Sequence, residues 1–527
     1  MPNTVKKEKS IISEKKGKTT KEKIEKTFTE ELIIGICFPI GSLSKIVIDS
    51  IEKRLKNEYN YDVEVIKLSN SILEYYEKEP ILESGKTPKY SELIHKIRGG
   101  DDLREKYNNR SILVELAIKK IREDRKAINL KKIKGRRKCY IIDSLKNIAE
   151  LKLLRTIYRE IFYLFSIFSP NREREDTLAN QNLSKEEAKN IIADDEYEDN
   201  IHGQDVRNTF VEADFFVRIS NCNKKDIDNK IEKYFHLIFN SDIITPDYHE
   251  TAMYNAKSAA GNSACLSRQV GAAITDKNGV SIATGWNDVP KFGGNLYRYT
   301  DDNPKRCKEL GYCSNVKQKN NAFDEILDKI EKKINEAKTD NGLKIVKSNN
   351  NTWEEIKDII KKSRFKDIIE YSRSIHAEMH AIIIGSQLTG NKMVGGSLFC
   401  TTYPCHNCAR HIILAGIKKN YYIEPYKKSL GILLHNDSLT EDETDKKKVR
   451  ILLYDGVAPR RYLDFFSINS EDRKNKNGKI KKANLKEAVP KTRLSLRAIP
   501  ELENQAIHAL HECGLIKGED NEKTSQQ

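Results

Sequence analysis

The sequence predicts an α/β protein of two successive domains, a parallel-sheet domain followed by a three-layer α/β/α domain. Three observations carry this. Short apolar runs of strand type alternate with amphipathic helices up to about residue 221, and the alternation restarts near 246 after a charged helical joint. The third is length, since 527 residues exceed what one hydrophobic core ordinarily serves.

The pattern divides the chain as 1–30, a basic leader; 31–221, the first domain; 222–245, a helical linker; 246–467, the second domain, with an insertion at 295–370; and 468–527, a polar tail with one helix. The leader holds nine Lys and five Glu without the apolar core of a secretory signal, and reads as solvated and disordered. The first domain opens on ELIIGICFPIGSLSKIVIDSIEKRL (31–55): an apolar strand, a glycine-containing turn and an amphipathic helix. Strands are expected at 61–68, 139–145 and 213–220, and helical periodicity covers about 147–165. The linker carries Ile231, Phe235, Leu237 and Ile238 on one stripe.

In the second domain, 251–268 reads as a helix and 270–287 as a hairpin turning at Lys277-Asn278-Gly279. The Lys/Asn/Asp-rich insertion has helices near 322–338 and 353–371. The pattern then resumes as helix IHAEMHAIII, strand SLFCTTY, helix CHNCARHIILAG and strand NYYIEPY, and the tail is helical at 500–516.

Composition bounds the function. With 38% hydrophobic and 32% charged residues the chain can fill ordinary cores. No apolar run of about 18 residues occurs, so no spanning helix and no membrane partner are expected. Ten scattered cysteines in a long chain argue for reduced thiols, some of them metal ligands, and for the cytoplasm. The net charge of +15 invites a nucleic-acid partner, but the Lys is spread everywhere, without a compact Arg/aromatic stripe. Part of the excess can serve nucleotide phosphates.

Between the first strand and helix stands Gly35-Ile36-Cys37-Phe38-Pro39-Ile40-Gly41-Ser42-Leu43-Ser44-Lys45. A working phosphate loop of Walker type places Lys directly after its second glycine. Here Ser42 occupies that slot and Lys45 comes three residues later. Gly41 and the helix start could still cradle phosphate through backbone N–H groups, and Asp143, ending an apolar strand, stands where Mg2+ would be held. The first domain thus reads as a degenerate P-loop-like module that binds ATP, GTP or a partner without efficient hydrolysis, or is a structural remnant.

The sharpest pattern is His376-Ala377-Glu378, then 26 positions from Glu378 to Pro404, then Pro404-Cys405-His406-Asn407-Cys408. His376 and Glu378 open one helix; Cys405 and Cys408 open another. Thiolates at a helix N-terminus gain from its positive end. One imidazole and two thiolates give three ligands to Zn2+ and leave a fourth position for water, whose pKa zinc lowers towards about 7. Glu378 is placed to shuttle the proton. This H-x-E with P-C-x-x-C is the signature of zinc nucleobase deaminases. The alternative is a closed zinc knuckle, for which His380, His406 and His411 are the nearby fourth ligands.

Cys265-Leu266-Ser267-Arg268-Gln269-Val270-Gly271-Ala272-Ala273 and Gly285-Trp286-Asn287-Asp288-Val289-Pro290 resemble the first half of deoxycytidylate deaminases. Residues 423–429, 434–437 and 456–462 resemble their tail. The resemblance implies a cytidine-deaminase-like fold, a sugar hydroxyl bonded by Asn287, and substrate contacts from Arg268 and Lys428, with Arg461 a further candidate for phosphate. Trp286 and Asp288 depart from the family's usual Tyr and Gly. Some of these enzymes carry a second, structural zinc, for which Cys307 and Cys313 are the candidates.

The whole pattern, including 140–146, Leu154-Arg155, Gly203-Gln204-Asp205, 213–216, Thr245-Pro246 and 250–253, resembles two-domain bacterial anti-phage dCTP deaminases. That implies conversion of dCTP, and of dCMP, to uracil nucleotides, depleting dCTP during infection. By analogy with the deaminase fold a homo-oligomer is expected, and a regulatory nucleotide or RNA is a candidate partner. The rivals are a housekeeping dCMP deaminase, a polynucleotide-editing deaminase and a non-catalytic nucleotide or nucleic-acid sensor. The long N-terminal half speaks against the first. The Asn287 loop and the lack of an aromatic stacking platform speak against the second.

Overall fold

The computed structural model describes residues 19–25, 27–76, 78–79, 84–126, 136–196, 203–220, 224–336, 350–425, 429–468, 473–480, 483–495 and 499–516. They form two six-stranded, mainly parallel sheets. The first holds β1 (Leu32–Cys37), β2 (Asp62–Lys67), β3 (Lys138–Asp143), β4 (Phe162–Phe168) and β5 (Phe215–Arg218). The second holds β6 (Gly271–Thr275), β7 (Ser281–Trp286), β8 (Ser397–Thr402), β9 (Lys419–Glu424), β10 (Leu439–Thr440) and β11 (Val449–Leu453). β12 (Gly456–Val457) follows the second sheet in the chain but pairs antiparallel with β5 at the edge of the first.

The first sheet runs β12-β5-β4-β1-β3-β2, with β1 through β5 parallel throughout. β1 is buried along its whole length, as a central parallel strand must be when helices cover both faces. Its residues alternate. Leu32, Ile34 and Ile36 face the helices Ser44–Asn57 and Lys224–Phe239, while Ile33 faces Ile112–Lys126 and Ile148–Tyr158. The helical stripe of 222–245 therefore lies against the first sheet. The tail helix Ile499–Glu512 also returns to this half, packing on Ile112–Lys126 and Ile148–Tyr158.

The helical periodicity read over 147–165 breaks in two. The helix ends at Tyr158, Arg159 turns with φ 41°, and FYLFSIF becomes β4. A run that is apolar but for Ser166 carries no period that separates helix from buried strand. The helix 251–268 likewise closes early, at Ala260, leaving 264–270 as a loop.

The second sheet runs β10-β11-β9-β8-β6-β7; only the β6–β7 and β6–β8 pairs are antiparallel. Helices cover both faces, one made by Tyr248–Ala260 and the other by Ala377–Thr389 with His406–Leu414. Asp247 and Glu250 form a capping box that starts the first of these. Glycines set the close approaches. A Cβ on Gly285 would lie 2.4 Å from the Ala381 nitrogen, so only glycine lets the 377–389 helix sit this low on β7. One apolar core continues between the halves through Phe216, Met253 and Tyr454. Among the described residues no helix is long and apolar enough to cross a membrane.

Candidate active site

The site forms where two helices start beside one another. His376 is the N-cap residue of Ala377–Thr389 and Cys405 that of His406–Leu414. His376 Nδ1 lies 3.2 Å from Cys405 Sγ and 3.3 Å from Cys408 Sγ. The Cys408 backbone N–H donates to Cys405 Sγ at 3.5 Å, a helix N-terminal amide aimed at a thiolate. All three donor atoms lie within 4.8 Å of one another. Tetrahedral zinc with bonds of about 2.0–2.3 Å sets its ligands roughly 3.5 Å apart, so this soft donor set fits Zn2+.

The charges agree. Bonding to Cys408 and His376 pulls the Cys405 thiol down to about 4, against the cost of burial. Burial presses the His376 imidazole down, but the Cys405 thiolate outweighs it and holds His376 at about 9. A thiolate next to an imidazolium is the pair a divalent cation replaces on binding, with release of the proton. Among the described residues no fourth His, Cys, Asp or Glu joins this cluster. The three histidines of the knuckle alternative are engaged elsewhere. His380 Nδ1 accepts from the Trp286 N–H at 3.2 Å, His411 Nδ1 contacts the Asn407 carbonyl, and His406 faces Glu370.

A cavity of about 310 Å3 opens over the cluster, lined among others by His376, Glu378 and Cys405. Among the described residues Glu378 is its only carboxyl, and burial raises its pKa to about 7. A buried acid near neutrality can both accept and release a proton.

Asn287 and Arg268 line the same cavity. The Asn287 amide is already partly used: Oδ1 accepts from the Val270 N–H at 2.7 Å and Nδ2 donates to the Arg268 carbonyl at 2.8 Å. These bonds fix the 268–270 loop and leave one amide hydrogen outside them. Trp286 and Asp288, the departures from the family pattern, are structural. The Trp286 ring meets His380 edge-on, and Asp288 accepts from the N–H groups of Ala264 and Val289. Lys428 lies outside the described residues. Arg461 sits at the joint between the halves, 3.4 Å from Asp214.

Cys307 and Cys313 reach the cavity wall beside Cys265, where Cys313 Sγ meets Ser267 Oγ at 3.5 Å. They form no three-ligand cluster among the described residues. Sequence reasoning missed Arg373, which lines the cavity mouth with no carboxylate in ion-pairing distance among the described residues. Its position just before the His376 motif was the available signal.

The first-domain candidates lie apart from this site. Gly35 is inside β1, packed under Leu145 and Phe162, whereas Gly41 turns the following loop with φ +81°. The Ile40 N–H donates to Asp195 at 2.7 Å and the Leu43 N–H to Ser169 at 3.3 Å. Ser42 is buried, Lys45 is exposed, and Asp143 keeps one buried oxygen without a partner.

A half-buried His376 with two buried thiols faces a cavity that, among the described residues, holds one carboxyl, a donor set that fits a zinc-bound water. The comparisons agree: residues 246–424 match the family model of the cytidine and deoxycytidylate deaminase zinc-binding region, and the chain carries that domain. It is 27% identical over 218 residues to the deoxycytidylate deaminase of Enterobacteria phage T4, covering 39% of this chain and 95% of that one. It is 48% identical over 56 residues to ComE operon protein 2 of Bacillus subtilis (strain 168), covering 11% of this chain and only 29% of that relative's length. A dCMP deaminase of cyanophage S-TIM5, solved with dCMP and dUMP, matches at 19% identity and a TM-score of 0.23, covering 40% of this chain and 99% of that one.

Proposed function

We propose that the protein hydrolytically deaminates deoxycytidine nucleotides, dCTP and dCMP, with His376, Cys405 and Cys408 holding zinc and Glu378 carrying the proton. The convergence of one imidazole and two thiols beside a buried carboxyl carries this reading. Zinc, when bound, supplies Lewis-acid activation of a water. Glu378 takes that water's proton, delivers it to the ring nitrogen as oxygen adds to C4, and passes a proton to the departing ammonia. Asn287 has an amide hydrogen for a sugar hydroxyl, and Arg268 and Arg373 supply cations for the neighbouring phosphate.

The N-terminal half supports the two-domain dCTP deaminase reading over a housekeeping enzyme. The phage T4 relative is matched over nearly its full length, yet most of this chain has no counterpart there. The strand order β2-β3-β1-β4-β5, with the 38–43 loop before a helix, suits a degenerate nucleotide-kinase-like module. Asp195 holds a loop amide that a phosphate would need, so binding of ATP or GTP with Mg2+ requires its displacement. Depletion of dCTP against phage and assembly into a homo-oligomer rest on the same resemblance.

The test is Glu378→Ala assayed for uracil nucleotide formation from dCTP and dCMP. Turnover should fall about a thousandfold while zinc content stays near wild type. Unchanged turnover rejects the proton shuttle. Wild-type protein acting on a polynucleotide but on neither nucleotide rejects the substrate class.

A further inference from the structure

A second cavity, of about 440 Å3, lies between the two halves, and the proposed deaminase function gives it no role. The helix Ile148–Tyr158 lends it Lys152 and Arg155, and the helix Val206–Phe210 lends Arg207. From the second domain come Arg268, on the loop before β6, and Glu424, at the end of β9. With Glu212, that sets four cations against two carboxylates among the described residues.

The pairing inside the cavity is uneven. Arg155 bonds Glu212 at 2.9 Å, and Arg268 lies 3.6 Å from Glu424. Among the described residues neither Lys152 nor Arg207 has a carboxylate in ion-pairing distance. Arg207 instead donates to the Pro425 carbonyl. Burial, and then the nearby Arg268 guanidinium, both press against its charge. Two guanidiniums are brought together from different domains, with Glu424 near both and Asp205 also acting on Arg207, an arrangement in which an entering anion offsets their mutual repulsion.

Arg268 is the link. It lines both this cavity and the one over the His376–Cys405–Cys408 cluster, so the two spaces adjoin at its side chain. The first cavity, at about 310 Å3, lies at the small end of the range for nucleotide-sized ligands, so a polyphosphate tail must leave it. Arg268 and Arg207 mark a cationic way out.

We propose that the interdomain cavity is the polyphosphate subsite of the deaminase centre: Arg268 at the shared wall and Arg207 from the N-terminal half bind the β- and γ-phosphates of a nucleoside triphosphate whose base lies at the His376 cluster. This rests on the deaminase reading for its substrate and goes beyond it by giving the N-terminal half a direct part in selecting triphosphate over monophosphate. Guanidinium–phosphate bonds are charge-assisted and geometrically selective, so losing one penalises only the substrate that makes it.

The experiment compares the full-length protein with Arg207→Ala and Arg207→Lys, measuring kcat/KM for dCTP and for dCMP. The ratio of dCTP to dCMP should fall by about tenfold or more in Arg207→Ala, mainly through KM, with partial rescue in Arg207→Lys. An unchanged ratio, or an equal loss on both substrates, overturns the proposal. If Arg207→Ala does not fold, Arg207→Gln is read the same way. Inorganic tripolyphosphate is the second probe: it should compete with dCTP and bind more weakly to the variant. Tripolyphosphate that changes dCMP turnover without competing with dCTP marks a separate effector site and also overturns the subsite. If wild-type protein deaminates neither nucleotide, the deaminase reading fails. Calorimetric binding of tripolyphosphate, weakened in Arg207→Ala, then decides whether the cationic cavity holds polyphosphate; no binding overturns it.

Discussion

Replacing Glu503 by Ala should cost about 3–5 kcal/mol of stability. Arg125 is almost fully buried, and its guanidinium lies between Glu31, at 2.7 Å, and Glu503, both carboxylates wholly buried. Arg136 adds a second cation on Glu31 at 3.2 Å and is itself shared with Asp124 at 2.5 Å. Glu503 also accepts from the Tyr158 hydroxyl at 2.9 Å. The substitution leaves an Arg125 N–H and the Tyr158 O–H without acceptors, each costing about 1–3 kcal/mol, and takes from the buried Arg125 charge one of its two carboxylates. The position is also the anchor of the tail helix Ile499–Glu512, so its loss should loosen that helix from Ile148–Tyr158. Urea unfolding followed by circular dichroism measures the cost, and limited proteolysis of the tail reports the loosening. Joint replacement of Arg125 and Glu503 by Met should recover most of the loss, because no buried charge is then left unmatched. A cost below about 1 kcal/mol for Glu503→Ala, with an undigested tail, refutes this account of the anchor.

Gly285→Ala puts a methyl 2.4 Å from the Ala381 nitrogen and 2.5 Å from the Ala377 carbonyl, on the helix that presents His376 and Glu378. It should cost about 1–3 kcal/mol and lower turnover at least tenfold; retained activity in a destabilised variant would show that the helix yields elsewhere. Cys408→Ser should drop bound zinc, measured by atomic absorption, from about one per chain to a small fraction. Metal-free wild-type protein should regain turnover with Zn2+ and not with Mg2+; recovery with Mg2+ would contradict a thiolate site. His380 is held neutral, since burial lowers its pKa and Nδ1 accepts from the Trp286 N–H. The unfolded chain takes up this proton first, so stability is present above about pH 6.5 and is lost as pH falls towards the folded pKa. The stability difference between pH 7 and pH 5.5 should shrink in His380→Gln, and equal differences would remove His380 as the cause.

The second domain was legible because its chemistry is local. His376-Ala377-Glu378 and Cys405 to Cys408 each lie within one helix start, and the neighbouring strands carry clean apolar runs. The first domain was read in part. Its opening strand and helix follow the expected order, but β4 was hidden in a nearly all-apolar segment that fits a helix equally well. What the sequence could not disclose is non-local. Arg207 and Arg268 meet because two domains pack, and no period or motif relates them. Asn287 illustrates the same limit. Its place in a turn is readable, whereas its bonds to Val270 and Arg268 belong to the folded loop.

The pairing of β12 with β5 also bears on how the chain is made. A ribosome releases β5, with Phe215 and Phe216 at the sheet edge, about 240 residues before Gly456 emerges, a wait on the order of tens of seconds. Throughout that wait the nascent N-terminal half carries an open apolar edge, the kind of surface that recruits foreign strands. Chaperone capture during synthesis, and aggregation of any fragment ended before residue 456, follow from that one short strand.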